Sequence, residues 1–219
     1  MRSKLSRFKD NEERKNIIQP GKPICDTIKG KWQQFFENDH PIVFELGCGR
    51  GEYTVGLARR FPDTNYVGVD VKGARIWKGS SAAIEEGLDN VAFLRIRILE
   101  IEKYVEENEL NEIWITFPDP RPKKRDIKRR LTSERFMDIY KKLLKPEGIV
   151  HFKTDNAALF DFTLELLKAR NDVINLESTF DYHSSKFKEE LPDIVTKYEA
   201  KFMSEGEEIK YLRFNFAKE

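Results

Sequence analysis

Ile42-Val43-Phe44-Glu45-Leu46 runs straight into Gly47-Cys48-Gly49-Arg50-Gly51. The first five residues read as a short buried strand and the glycine-spaced five as a turn, with a helix following through about Arg60. Working outward, Tyr66-Val67-Gly68-Val69-Asp70 is a second apolar strand, and Gly73 to Glu86 a second helix that stops near Gly87. Val91 to Ile98 reads as a third strand, Ile101 to Asn108 as a short helix and Glu112 to Phe117 as a fourth strand. Ser133 to Leu144 has helical periodicity and stops at Pro146-Glu147-Gly148. The strand Ile149 to Lys153 and a helix from about Ala157 to Ala169 come next. Strands alternating with helices predict βαβ units and a parallel sheet, hence an α/β fold class. Val173 to Tyr182 and Ile209 to Ala217 alternate like strands but have no crossover helix to pair them. They predict an antiparallel C-terminal edge on a mostly parallel sheet. No internal repeat is visible.

The chain has 219 residues, a size that suits one large α/β domain with an extension. Residues 1–40 are polar and mixed in charge, with Pro20, Gly21 and Pro23 as punctuation. They read as a mobile tail and a short helix around Ile24 to Phe36, an N-terminal extension to a domain over 41–219. Sixteen Phe and three Trp argue against global disorder. Two cysteines, Cys25 and Cys48, make neither a disulfide framework nor a four-Cys zinc site, and three scattered histidines suggest no metal. The first residues lack the apolar core of a secretory signal, and no run is apolar enough to span a bilayer. The expectation is a cytoplasmic protein with no membrane association and no obligate protein partner. Lys+Arg (39) and Asp+Glu (38) cancel to +1, which excludes non-specific coating of a polyanion.

Glycines after a strand let a ligand approach the backbone, so Gly47, Gly49 and Gly51 mark a candidate nucleotide loop. Asp70 ends the next strand 19 residues after Gly51, where a carboxylate can accept from both ribose hydroxyls. The spacing is G-x-G-x-G rather than the G-x-G-x-x-G of dinucleotide sites. Glu45, just before the glycines, is awkward for a pyrophosphate and suits a cation. That charge logic favours S-adenosylmethionine (AdoMet), with its sulfonium and amino group, over NAD. The plainer alternative is a tight turn with Asp70 as a helix cap.

After the fourth strand comes Thr116-Phe117-Pro118-Asp119-Pro120. The carboxyl ends of the strands are where ligands bind in such sheets, and the flanking prolines stiffen the backbone at Asp119. Residues 121–130 then hold seven basic side chains and one acid, a local +6. The other 209 residues carry −5, the difference between +1 and +6. A run so placed predicts contact with phosphates and salt-sensitive binding of RNA or DNA, against the plainer alternative of a solvated helix face.

Glu45-x-Gly-x-Gly, Phe117-Pro-Asp-Pro-x-Pro-Lys123-Lys-Arg, Lys128-Arg-Arg130, Lys153-Thr-Asp155 and Thr196-Lys-Tyr-Glu199 occur in that order. Together they closely resemble the bacterial tRNA (guanine-N7)-methyltransferases over about residues 40–217. The resemblance implies a Rossmann-like class I AdoMet-dependent methyltransferase fold and methyl transfer to a guanine of the tRNA variable loop, leaving S-adenosyl-L-homocysteine. It implies cofactor contacts at Glu45, Gly47, Gly49, Asp70, Arg97 and Asp119, with Asp119 also catalytic. It implies substrate contacts at Lys123, Asp155 and Thr196-Lys197-Tyr198-Glu199, and an RNA-contacting stretch that includes Arg125, Lys128, Arg129 and Arg130.

Two positions depart from the family pattern. Arg121 stands where the family usually has Trp, and Arg97 falls where an acidic or amide residue often meets the adenine. Two smaller motifs have plainer readings as well: Thr196-x-x-Glu199 is a capping box, and Asp155 can be the N-cap of the helix from Ala157. A methyltransferase of another substrate and a non-catalytic RNA-binding relative are the competing functions.

Overall fold

The computed structural model describes residues 3–191 and 194–218. The first two residues of the expected tail and the last residue of the expected domain lie outside them. The strands are β1 (Ile17–Ile18), β2 (Ile42–Leu46), β3 (Asn65–Val69), β4 (Val91–Leu94), β5 (Leu110–Thr116), β6 (Leu144–Thr154), β7 (Val173–Thr179) and β8 (Lys210–Phe216). They form one sheet in the order β1-β4-β3-β2-β5-β6-β8-β7. From β1 to β6 every pairing is parallel; β8 runs antiparallel to both β6 and β7. The mostly parallel sheet with an antiparallel C-terminal edge is therefore as the alternation predicts.

The helices are α1 (Lys4–Glu13), α2 (Pro23–Thr27), α3 (Trp32–Phe36), α4 (Glu52–Arg60), α5 (Gly73–Glu85), α6 (Glu134–Leu143), α7 (Ala157–Ala169), α8 (Phe187–Glu190) and α9 (Lys197–Ser204). Every residue of β2 and β3 is buried, as central parallel strands require. Alternate side chains enter opposite cores. Ile42, Phe44 and Leu46 pack with Trp32, Phe136 and Phe152, whereas Val43 packs with Tyr53, Phe93 and Trp114. Glu45 shares the face of Val43 and so points at α4.

The N-terminal stretch differs from the expected tail. Ile17 and Ile18 are fully buried and pair with β4 at the sheet edge. Ahead of them α1 packs on α5. Arg7 and Arg14 sit over the Trp77 ring at 5.1 and 4.8 Å, and Trp77 Nε1–H donates to Asp10 at 2.7 Å. Two apolar residues are too few to show a period, so the sequence alone does not reveal this strand. The short helix expected over Ile24 to Phe36 is two helices, divided at Gly30, where φ is +72°.

Other boundaries also shift. The third predicted strand ends at Leu94, and a 3-10 helix over Ile98–Lys103 replaces the helix expected from Ile101. The C-terminal strand expected to reach Tyr182 ends at Thr179. No helix among the described residues is long and apolar enough to cross a membrane.

Candidate active site

The sheet order reverses direction between β3-β2 and β2-β5, which creates a crevice at the carboxyl end of β2. The glycine turn fills its floor. Gly47, Gly49 and Gly51 have φ of +82°, +57° and +72°, a conformation costly for residues with a Cβ. At Gly51 space is limiting as well: a Cβ there would lie 2.5 Å from the Phe93 ring. Gly47 and Cys48 donate to the Val69 carbonyl at 2.8 and 3.1 Å, which ties the turn to the end of β3. Asp70 completes the tie. Its carboxylate accepts from Gly49 N–H at 3.1 Å and Lys72 N–H at 2.8 Å, while Lys72 itself occupies the N-cap position of α5.

Glu45 is 4% exposed, and three donors hold its carboxylate. Thr54 supplies its backbone N–H at 2.9 Å and its hydroxyl, and the Thr116 hydroxyl donates at 2.6 Å. Burial pushes its pKa up, and the three hydrogen bonds oppose that shift.

A cavity of about 770 Å³ opens over this floor. Residues following β2, β5 and β6 line it, together with one face of α9. Eight of the residues singled out in the sequence meet there: Glu45, Gly47, Gly49, Asp119, Asp155, Thr196, Lys197 and Tyr198. The Asp119 side chain is 67% exposed, and its carboxylate accepts from Arg121 N–H at 3.2 Å. The Arg121 guanidinium stands 3.8 Å from it, in the place of the family's Trp, on a backbone with φ of +43°.

Asp155 does not cap α7. Asn156 does, its side chain accepting from Leu159 N–H at 2.8 Å, which leaves Asp155 for the cavity. Burial raises the Asp155 pKa. Thr196 does cap its helix, accepting from Glu199 N–H at 3.1 Å while also lining the cavity. The two readings of that motif coexist.

Other predicted residues stand elsewhere. Asp70 buttresses the turn and is not among the cavity-lining residues. Arg97 is exposed and is likewise outside the cavity lining. Glu199 is fully buried, 2.6 Å from Lys153 Nζ and 3.2 Å from His183 Nε2. Lys123, Arg125, Lys128 and Arg129 are exposed on or beside a 3-10 helix over Lys124–Arg129.

Arg130, the last of the basic run, is 8% exposed and turns inward. Its guanidinium lies over the Phe162 ring at 4.4 Å and donates to the Pro120 and Arg121 carbonyls at 3.2 and 3.3 Å. It clamps the backbone that carries Asp119. Replacing Arg130 with Ala leaves two carbonyls without their charged donor, a loss of about 1.5–3 kcal/mol at the loop. The expected result is a kcat lower by on the order of tenfold with an unchanged salt dependence. On the tRNA substrate that the sequence resemblance implies, Lys128→Ala with Arg129→Ala should instead raise the KM and flatten its salt dependence. Steady-state kinetics at several salt concentrations separate the two; identical behaviour would return Arg130 to the phosphate-contacting set.

Sequence reasoning missed several lining residues: Arg50, Glu52, Tyr53, Lys72, Arg75, Asn156, Lys201 and Phe202. Lys201 and Phe202 follow Tyr198 at helical spacing, so the α9 periodicity was the available signal. Phe202 also stacks on Phe117, with ring centres 6.1 Å apart.

A family model described as "Putative methyltransferase" matches residues 39–212. Three tRNA (guanine-N(7)-)-methyltransferases are similar along nearly the whole chain. That of Cytophaga hutchinsonii is 49% identical, covering 98% of each chain, and that of Christiangramia forsetii is 48% identical, covering 97% of each. That of Bacteroides thetaiotaomicron is 43% identical over 100% of this chain and 87% of its own.

Among solved structures, the 16S rRNA methyltransferase KamB superposes with a TM-score of 0.63 at 13% identity, covering 86% of this chain and 94% of that one. A mutant of the 16S rRNA (adenine(1408)-N(1))-methyltransferase from Catenulisporales acidiphilia, solved with cosubstrate SAM, gives 0.60 at 15% identity, covering 87% and 91%. These likenesses establish the fold as that of class I methyltransferases. With close kinship extending over both chains, this chain belongs to the tRNA (guanine-N7)-methyltransferase family.

Proposed function

We propose that this protein transfers a methyl group from AdoMet to N7 of a guanine in the variable loop of tRNA, releasing S-adenosyl-L-homocysteine, in the cytoplasm. In this reading residues 41–219 form the methyltransferase domain and residues 1–40 an N-terminal extension, whose Ile17 and Ile18 pair at the sheet edge. One observation carries the proposal: Asp119 stands exposed at the rim of the crevice cavity, on the loop that leads directly into the exposed basic helix.

The residues present fit the cofactor. A cavity of about 770 Å³ lies within the range of small-molecule sites, and its floor is a glycine turn on which a ligand can lie close to the backbone. Glu45 and Asp119 on its wall suit a cation, and Gly47, Gly49 and the turn-supporting Asp70 would shape the place for the nucleoside. AdoMet, when bound, supplies a methyl group on a positively charged sulfur.

Guanine N7 carries a lone pair and no proton at neutral pH, so the chain needs no base to expose the nucleophile. Its task is alignment of the purine. The purine gains positive charge as the methyl arrives, and the Asp119 carboxylate stabilises that charge. Asp155 accepts from guanine N1–H or N2–H₂, the donors that distinguish guanine from adenine. Tyr198, exposed on the cavity wall, offers a ring for a base to stack on. Lys123, Arg125, Lys128 and Arg129 hold phosphates. Glu199, placed by the resemblance at the substrate, acts here through Lys153 to seat α9.

The test is mass spectrometry of nucleosides after incubating unmodified tRNA with AdoMet and the protein. 7-Methylguanosine is the expected product. A different methylated nucleoside would reassign the substrate, and no product without AdoMet binding by calorimetry would support a non-catalytic RNA-binding protein.

A further inference from the structure

A second groove, of about 430 Å³, opens beside the cofactor cavity between α4 and α5 and shares Arg50, Glu52 and Lys197 with it. Gly51, Gly79 and Ala82 are among the residues that line it. The close approach is enforced: a Cβ at Gly79 would lie 2.8 Å from the Arg50 carbonyl and 2.5 Å from the Phe93 ring. Val55 and Val195 add apolar surface. Four cations line the groove, Arg50, Arg59, Lys78 and Lys197, against the single carboxylate of Glu52.

Two charges there are already occupied. Arg59 is bidentate to Glu86, at 2.8 and 2.7 Å, and Glu52 accepts from Lys197 N–H at 2.8 Å. Arg50, Lys78 and the Lys197 side chain are exposed, and none enters an ion pair among the described residues. The surface therefore holds positive potential with small-residue contours.

Its position matters as much as its charge. The basic helix over 124–129 follows β5, whereas this groove lies between the helices that follow β2 and β3. In the sheet, β5 and β3 flank β2 on opposite sides. The two basic features thus bracket the cavity.

We propose that the groove holds the sugar–phosphate backbone of the single-stranded tRNA segment flanking the target guanine, with Arg50, Lys78 and Lys197 meeting phosphates and the two valines meeting ribose. This rests on the tRNA reading above and adds a second track to it: the RNA is gripped on both sides of the cavity, so the guanine enters between two held phosphates. The neutral sum of the chain is compatible with this, since positive surface is concentrated around one opening.

Lys78 provides the test, because it lines the groove and not the cofactor cavity. It is exposed on α5, where Ala is well tolerated. With the full chain and unmodified tRNA, Lys78→Ala should lower the slope of log Kd against log salt by roughly 0.7–0.9, the value for one lost phosphate contact. Lys78→Glu should weaken tRNA binding further, severalfold at low salt. AdoMet affinity, by calorimetry, should be the same in both variants as in the parent.

An unchanged slope overturns the proposal, as does a fall in AdoMet affinity in step with tRNA affinity, which would make the groove part of the cofactor pocket. If the parent makes 7-methylguanosine while the Lys78 variants keep the parental slope, only the groove assignment falls. If the parent makes none, the catalytic reading falls, and the groove stands or falls on the slope alone.

Discussion

An Asp119→Ala variant is expected to keep the fold and to lose methyl transfer by about 10²–10³-fold or more, the order seen when a pre-placed group facing developing charge is removed. The fold should survive because the carboxylate is mostly exposed and its contacts are local, to Arg121 N–H and the Arg121 guanidinium. An ion pair this open and 3.8 Å long contributes little to stability. Catalysis is more sensitive than stability here. In the mechanism proposed above, removing Asp119 subtracts a negative charge facing the purine and also leaves the Arg121 guanidinium, 3.8 Å from that carboxylate, unopposed. Asp119→Asn separates shape from charge, and an additional Arg121→Ala change should recover part of the loss by removing the unopposed cation. The assay is transfer from labelled AdoMet to unmodified tRNA, alongside thermal unfolding. Full activity in Asp119→Ala would remove this residue from the mechanism.

Glu199→Ala is expected to have the largest effect on stability. Lys153 lies on β6, 1% exposed, with Glu199 at 2.6 Å and the Tyr182 ring 3.9 Å from its ammonium. Taking away the carboxylate removes the charge 2.6 Å from a buried cation, and breaking a buried pair in this way costs about 3–5 kcal/mol. For a chain of this length that is a fall in Tm of roughly 6–20 °C. The pair joins α9 to the sheet, so the cavity wall made by Thr196, Lys197 and Tyr198 should loosen with it.

An apolar replacement of both partners, Lys153→Met with Glu199→Leu, should return most of the stability, because well-packed apolar pairs match buried ion pairs. Activity then decides the role of Glu199. Recovery of activity with stability makes it an anchor for α9, as proposed above; stability without activity makes it a direct substrate contact. If Glu199→Ala unfolds at the parental temperature, the buried pair is not what seats α9.

The glycine turn, the central strands and the acidic residue after β3 were legible because each is local. A buried five-residue run, closely spaced glycines and a following helix need no distant partner to be recognised. The antiparallel C-terminal edge was legible for a related reason, since alternation without a crossover helix leaves little else for a strand to do. Two-residue β1 was not legible: Ile17 and Ile18 become a strand only because β4 offers an unpaired edge. Nor was the division of the helix over residues 24–36, where Glu109, far along the chain, accepts from the Gly30 and Trp32 N–H groups.

By itself the sequence determined the fold class, the glycine turn after β2 and the place of the Asp119 segment after β5, because these depend on backbone conformation and spacing within short stretches. Only the tertiary structure decided which of several similar charges face solvent and which face the interior. Arg129 and Arg130 are chemically identical neighbours, yet one is exposed beside Asp126 and the other is buried over Phe162. Asp155 and Asn156 could each have capped α7, and the chain uses the asparagine, leaving the carboxylate to the cavity. Glu199, three residues into a motif that the resemblance places at the substrate, meets Lys153 across 46 residues of chain. A charged side chain takes its role from the dielectric around it and the partner within reach, and both are set by packing between segments distant in sequence.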